Sequence, residues 1–229
     1  MPRMGTLYLV RHGQASFGAQ DYDQLSALGA RQCHALGQYF AQRDVVFEAV
    51  LRGTLRRHAQ SLAALVEGYA PAQGELPAAL ECSGLNEYDG EALIRAVHAA
   101  PLARPDTPER YRAHFGLLRQ GLTAWMAGQV APGGMPSYVD FVAGVNAALD
   151  LVRARYSGNV LLVSSGGPIA TAVGQVLGTP ALTTIELNMR IRNSALTEFA
   201  FGPKRHMLLS YNHLPHLDHP DRAGWVTYS

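Results

Sequence analysis

Apolar positions along this chain fall into two recurring patterns, short continuous blocks and longer stretches with helical spacing. Thr6 to Val10 is a near-continuous apolar block that stops at Arg11-His12-Gly13. Such a block predicts a strand covered on both faces, as in a parallel sheet. Ser26 is placed to cap a helix running to Arg43, with Leu28, Cys33, Leu36 and Phe40 near one face. Phe47 to Leu51 predicts a second strand, and Thr54 stands where it could cap a second helix bearing Leu55, Leu62, Leu65 and Val66 and ending near Gly68. Strand, short loop and helix repeated this early predict βαβ units.

From Pro77 the pattern loosens. Ala79 to Cys82 predicts a short strand, followed by a loop to Gly90 and a helix over Glu91 to Ala99. Helical period returns over Pro108 to Met126 and again over Tyr138 to Tyr156. Asn159 to Ser164 is a clean late strand that runs into Ser165-Gly166-Gly167-Pro168. A helix over Ile169 to Leu177 follows, with Pro168 as its first residue and Gly178 closing it. Two last strands are expected over Ser194 to Phe201 and His206 to Asn212. Together these predict one α/β domain over residues 1–229, a mostly parallel central sheet flanked by helices, with a helical cap inserted around residues 83–137.

Composition narrows the class. At 229 residues, 48% hydrophobic and a formal charge of +1, the chain can bury a sizeable core and has no basic excess to draw it to nucleic acid. Its two cysteines, Cys33 and Cys82, are too few for a disulfide framework and fit a reducing compartment, with Cys33 on a core-facing position. The apolar run after Met4 is too short to span a bilayer and lacks the pattern of a signal peptide. A cytoplasmic protein without nucleic-acid or membrane partners is expected; oligomeric state has no legible signature.

Arg11 and His12 fall at the carboxyl end of the first strand, where open α/β sheets bind ligands. A guanidinium fork beside an imidazole suits a phosphoryl group, because Arg neutralises and orients while neutral His attacks phosphorus or moves a proton. From these residues alone, a histidine that merely closes a core stays open as well.

Leu9-Val10-Arg11-His12-Gly13-Gln14 resembles the signature of the histidine phosphatase superfamily, phosphoglycerate-mutase-like branch. The resemblance implies that His12 becomes a covalent phosphohistidine. It continues through Leu25-Ser26-Ala27-Leu28-Gly29, which matches a Leu-Thr-x-x-Gly element with Ser for Thr. In Leu55-Arg56-Arg57-His58-Ala59-Gln60-Ser61 the family spacing selects Arg57 over Arg56 as a second phosphate ligand, with Arg56 read as exposed; taken alone, the run also fits a solvated Arg-Arg-His face. Glu87, in Leu85-Asn86-Glu87-Tyr88-Asp89-Gly90, matches the acidic residue that protonates the leaving oxygen and then activates water; Asp89 is the second candidate. Asn193-Ser194-Ala195-Leu196-Thr197 and Tyr211-Asn212-His213-Leu214-Pro215-His216-Leu217 resemble the family's closing segments.

Two departures stand out. Val163-Ser164-Ser165-Gly166-Gly167 carries Ser165 where the family has a second histidine that holds phosphoryl oxygens. A serine hydroxyl donates one hydrogen bond and carries no charge, and losing one oxyanion donor costs about 10²–10³ in rate. The amides of Gly166 and Gly167, opening a helix, are expected to keep part of that anion site. Gly18 stands where the family often has a phosphate-contacting Asn, with Ser16 as a possible substitute.

Other chemistries fit less well. His213, His216 and His219 recur on a proline-punctuated turn that gives them no common helix face for a metal. Gly13 and Gly18 have P-loop spacing, but Ala19-Gln20 replaces the required Lys-Ser/Thr. A serine nucleophile at Ser165 would need Gly where Val163 stands. The reading is a metal- and cofactor-independent phosphomonoester hydrolase acting on a small-molecule phosphate ester. His12 and Glu87 are catalytic; Arg11, Arg57, Ser165 and Gly166 bind phosphate. The alternatives are a disarmed phosphate-ester-binding or regulatory protein and, third, a phosphomutase.

Overall fold

Leu161 and Leu162 show the logic of the sheet: neighbours in one strand, both fully buried, and packed into separate apolar clusters on opposite faces. The computed structural model describes residues 4–15, 23–103 and 105–228. Thirteen main elements follow one another: β1 Gly5–Arg11, α1 Ala27–Gln42, β2 Phe47–Arg52, α2 Arg56–Gln73, β3 Ala79–Glu81, α3 Gly90–Val97, α4 Pro108–Met126, α5 Tyr138–Arg155, β4 Asn159–Ser164, α6 Gly166–Leu177, α7 Ala181–Arg190, β5 Leu196–Gly202 and β6 Arg205–His213. The six strands form one sheet in the order β3-β2-β4-β1-β5-β6. Pairings among β3, β2, β4 and β1 are parallel; β5 is antiparallel to both its neighbours.

Each face of the sheet carries its own core. Val10, Val50, Leu161 and Val163 pack against Cys33, Leu36 and Phe40 of α1 and Leu65 and Tyr69 of α2. Leu7, Leu9, Leu51, Leu162 and Phe199 face Val145, Leu149 and Val152 of α5 and Ile169 and Val173 of α6. Leu93 of α3 and Leu118, Leu122 and Trp125 of α4 join that second core rather than forming one of their own.

Several helix starts are capped by a side chain. Ser26 accepts the amide of Gly29 at α1, Thr107 that of Arg110 at α4, and Ser137 that of Asp140 at α5. Several boundaries shift by a residue or two, and four differences have a physical reason. Thr54 does not cap α2; the carboxylate of Asp23 accepts the amides of Arg56 and Arg57 instead, at 2.8 and 3.3 Å. The same helix runs past Gly68 to Gln73, because Gly68 is there for space: a Cβ on it would strike the His34 carbonyl of α1. Helix α6 starts at Gly166, so Pro168 is its third residue, still within the turn whose amides have no intrahelical partner. Helix α7 has no counterpart in the sequence reading, since it buries only Thr184 and Ile185.

Candidate active site

Strand β1 passes through α1 to β2, on the far side of β4, whereas β4 passes through α6 and α7 to β5, beyond β1. The two connections leave adjacent strands in opposite directions, which opens a crevice at their carboxyl ends. Arg11 pairs with Ser164 across that edge. Arg11, His12 and Arg57 are 9%, 2% and 6% exposed, and His58 and Ser165 are fully buried.

The state of His12 follows from one contact. Its Nδ1 lies 2.7 Å from the Gly13 carbonyl oxygen, which can only accept, so the proton sits on Nδ1 and Nε2 is left with its lone pair. Burial, and then the charges of Arg11 and Arg57, push the imidazole well below its ordinary pKa. The ring is therefore neutral and nucleophilic at physiological pH.

The loop that carries it is clamped from several sides. The Gly13 amide donates to Ser61 Oγ at 3.1 Å, and Ser61 donates back to the Arg57 carbonyl at 2.7 Å, which gives the four-residue spacing between Arg57 and Ser61 its meaning. Gln32 Oε1 takes the Gln14 amide at 2.8 Å, while its Nε2 reaches the Trp225 carbonyl at 2.6 Å. Behind His12, the Ser194 amide donates to the His12 carbonyl at 3.0 Å, and Ser194 Oγ meets His216 Nε2 at 2.9 Å. His216 is thus a buried framework residue. Among the described residues no group of three or more His, Cys, Asp or Glu converges as metal ligands.

Arg11, at the end of β1, and Arg57, at the start of α2, both lie near enough to His12 to act on its charge. Arg11 Nη1 donates to the carbonyls of Ile191 and Tyr228 at 2.5 and 2.7 Å. Arg57 Nη1 is paired with Asp23 at 2.9 Å, and its Nη2 donates to Ser165 Oγ at 3.4 Å. Two guanidinium groups beside a buried neutral imidazole suit a phosphate dianion. Arg56 is exposed, as expected.

Glu87 crosses from the loop before α3 to the start of α6. Its oxygens accept the Gly167 amide at 3.1 and 3.2 Å. Burial raises its pKa, and Arg57, the Gly167 amide, Arg11 and the Tyr88 amide pull against that rise. The Gly-Gly pair makes this arrangement possible. A Cβ on Gly167 would collide with Glu87, and one on Gly166 would lie 2.7 Å from Asn188 Oδ1 and 3.8 Å from Arg11 Nε. The Gly167 amide is thus held by Glu87 rather than offered to an anion, which corrects the expectation that both glycine amides bind phosphate.

Ser165 caps no amide of α6. Its Oγ points instead to His58 Nε2, 2.7 Å away. His58 is a buried site residue to which sequence reasoning gave no role. The buried stripe of α2 is Arg57, His58, Ser61, Ala64, Leu65, Gly68 and Tyr69. Helical period projected back from Leu65 and Tyr69 lands on His58, so the signal was present. Asp23 had no such signal, because its role depends on a loop fold. Ser16 and Gly18 lie outside the described residues.

The description "Histidine phosphatase superfamily (branch 1)" matches residues 7–214. Among solved structures, "Mycobacterial hydrolase 1" is 21% identical with a TM-score of 0.66, covering 93% of this chain and 100% of that one. A phosphoglycerate mutase from Bacillus anthracis is 17% identical with a TM-score of 0.64 over 94% and 96% of the two chains. A phosphoserine phosphatase from Entamoeba histolytica, in complex with 3-phosphoglyceric acid, is 18% identical with a TM-score of 0.63 over 93% and 99%. At these identities the structures show a shared fold. No curated protein matches the chain by sequence. With a match that spans β1 through β6, the chain belongs to the histidine phosphatase superfamily, branch 1.

Proposed function

We propose that this chain hydrolyses small phosphate monoesters through a phosphohistidine on His12. The observation that carries the reading is the Nδ1 contact of His12 with the Gly13 carbonyl, which leaves Nε2 unprotonated between two guanidinium groups. Nε2 attacks phosphorus in line as the ester oxygen leaves. Glu87, its pKa raised by burial, supplies the proton that the leaving oxygen takes up. Water then attacks the phosphohistidine, giving its proton back to Glu87 and returning His12 to its starting state. Arg11 and Arg57 provide the positive charge that a metal supplies in other phosphatases, so turnover in chelator is expected. Helices α3 and α4, within residues 83–137, form the cap over this site and choose the ester, in the same class of small phosphate esters as the phosphoserine and phosphoglycerate named for fold relatives.

The test is turnover of p-nitrophenyl phosphate and a panel of alkyl phosphates in EDTA, with trapping of an acid-labile phosphoenzyme. Activity and trapped phosphate that vanish in His12→Ala support the reading. Absence of turnover across the panel overturns it and leaves a phosphate-ester-binding protein, the second reading that Ser165 favours. Phosphoryl transfer to a second acceptor, rather than to water, would make the chain a mutase.

A further inference from the structure

Within the reading of His12 as nucleophile, the site holds a second imidazole in an unexpected place. His58 is fully buried, its ring centroid is 5.9 Å from that of His12, and Nε2 meets Ser165 Oγ at 2.7 Å. Room for it is provided by Gly53, where a Cβ would collide with Nδ1. A histidine, a glycine against its back and a serine at its tip form a built arrangement drawn from the starts of α2 and α6 and the end of β2.

The hydrogen-bond inventory of Ser165 fixes what the arrangement does. A hydroxyl has two acceptor lone pairs and one proton to donate. Arg57 Nη2 can only donate, and does so at 3.4 Å. His58 Nδ1 lies beside the Gly53 carbonyl, which accepts from Arg52 at 3.0 Å and keeps a second lone pair. The ring therefore has two tautomers: a proton on Nδ1 faces Gly53, and a proton on Nε2 has Ser165 Oγ within reach; the proposal takes the second. Burial keeps the ring neutral, its pKa drawn down to about 3. In the Nε2-protonated form both lone pairs of Ser165 Oγ are filled, by His58 and by Arg57, and its hydroxyl proton is left for a phosphoryl oxygen.

We propose that His58 is a positioning residue which, through Ser165, supplies the phosphoryl-oxygen donor that a histidine at position 165 would otherwise provide. The imidazole has moved from the end of β4 to the start of α2, and the serine bridges the gap it left. An imidazole at position 165 would need the volume that His58 fills, so the two arrangements exclude each other.

Four variants decide this: His58→Ala, His58→Gln, Ser165→His, and the exchange His58→Ala with Ser165→His. All are assayed for kcat and KM on p-nitrophenyl phosphate in EDTA, with circular dichroism and thermal melting to confirm the fold. His58→Ala should lower kcat by about 10²-fold with KM moved by less than about threefold, the signature of a lost transition-state donor. Glutamine, whose amide nitrogen reaches near Nε2, should recover at least about tenfold of that loss. Ser165→His alone should be impaired by crowding, and the exchange should exceed both single variants by about tenfold or more. A folded His58→Ala with kcat within about twofold of wild type overturns the proposal, as does an exchange no better than either single change. Wild type without turnover would instead sink the hydrolase reading. The same four variants are then ranked, without chelator, by affinity for orthovanadate, a mimic of the pentacoordinate transition state, where equal binding by wild type and His58→Ala overturns the role of His58.

Discussion

Gly13 and Gly29 press backbone to backbone: a Cβ on either would collide with the chain of the other's segment, at the Gly29 carbonyl or the Gln14 carbonyl. The Arg-His-Gly motif and the Leu-Ser-Ala-Leu-Gly motif are therefore two sides of one contact. Neither glycine has a positive φ, so space rather than backbone conformation demands the residue. Gly29→Ala must push the loop of His12 away from α1, at a cost of about 1–3 kcal/mol. The expected result is a lower urea midpoint together with a loss of kcat. A variant that keeps the wild-type midpoint and rate would show that the contact is slack.

Glu87→Gln separates leaving groups by their basicity. Glutamine keeps an oxygen to accept the Gly167 amide but has no proton to give. Hydrolysis of an alkyl phosphate should fall by about 10²-fold or more, and that of p-nitrophenyl phosphate by much less, because nitrophenolate departs without help. Equal losses on the two substrates would assign Glu87 to binding alone. The pH profile follows from the same group. Its pKa is raised, so alkyl-ester turnover persists above the ordinary carboxylate range and declines as the pH rises through the raised value. That carboxyl also costs the fold some stability above the same point, since the unfolded chain ionises it more readily.

Acid should unfold this protein early. His58 and His216 are held down to about 3, and His12 well below its ordinary value, by burial first and neighbouring arginines second. In the unfolded chain these rings titrate near about 6.5. Between those limits the unfolded state binds more protons. Stability is complete above the unfolded value and falls, as pH drops, by about 1.4 kcal/mol per pH unit for each histidine. Urea midpoints measured from about pH 7 down to about pH 5 should fall steeply, and less steeply in His216→Asn. Parallel slopes for the two proteins would show that His216 is not held neutral.

Asp23 ties the start of α2 to the site by taking the Arg56 amide and the Arg57 guanidinium with one carboxylate. It is about a third exposed, so its ion pair contributes little in itself, and its value lies in aiming Arg57. Asp23→Ala should lower stability by about 1 kcal/mol, as for a lost helix cap, and weaken competitive inhibition by inorganic phosphate by about fivefold. Tighter phosphate binding would mean that Asp23 acts mainly by repelling the anion.

Much of this was legible in the chain. Asn159–Ser164 and Pro108–Met126 are found with the bounds their apolar runs predict, because each block is bracketed by turn or cap residues. The placing of Arg11 and His12 at the end of β1 came from the same kind of block. What stayed hidden is of another kind. Helix α7 buries too little for its period to show, and the capping of α2 by Asp23 joins segments that no local rule connects. His58 was hidden by its neighbours: beside Arg56 and Arg57 it reads as one more surface cation, although helical period alone puts it inside.

The two carbonyls that orient Arg11 lie 180 and 217 residues further along the chain. Closing such separations costs loop entropy that no turn along the way offsets. An amino-terminal fragment that stops before Ile191 lacks both of these carbonyls, however well it builds β1 and α1. We therefore expect the anion pocket to be completed late as the chain folds. Phosphate affinity during refolding should appear with the final cooperative step and serve as a reporter of its completion.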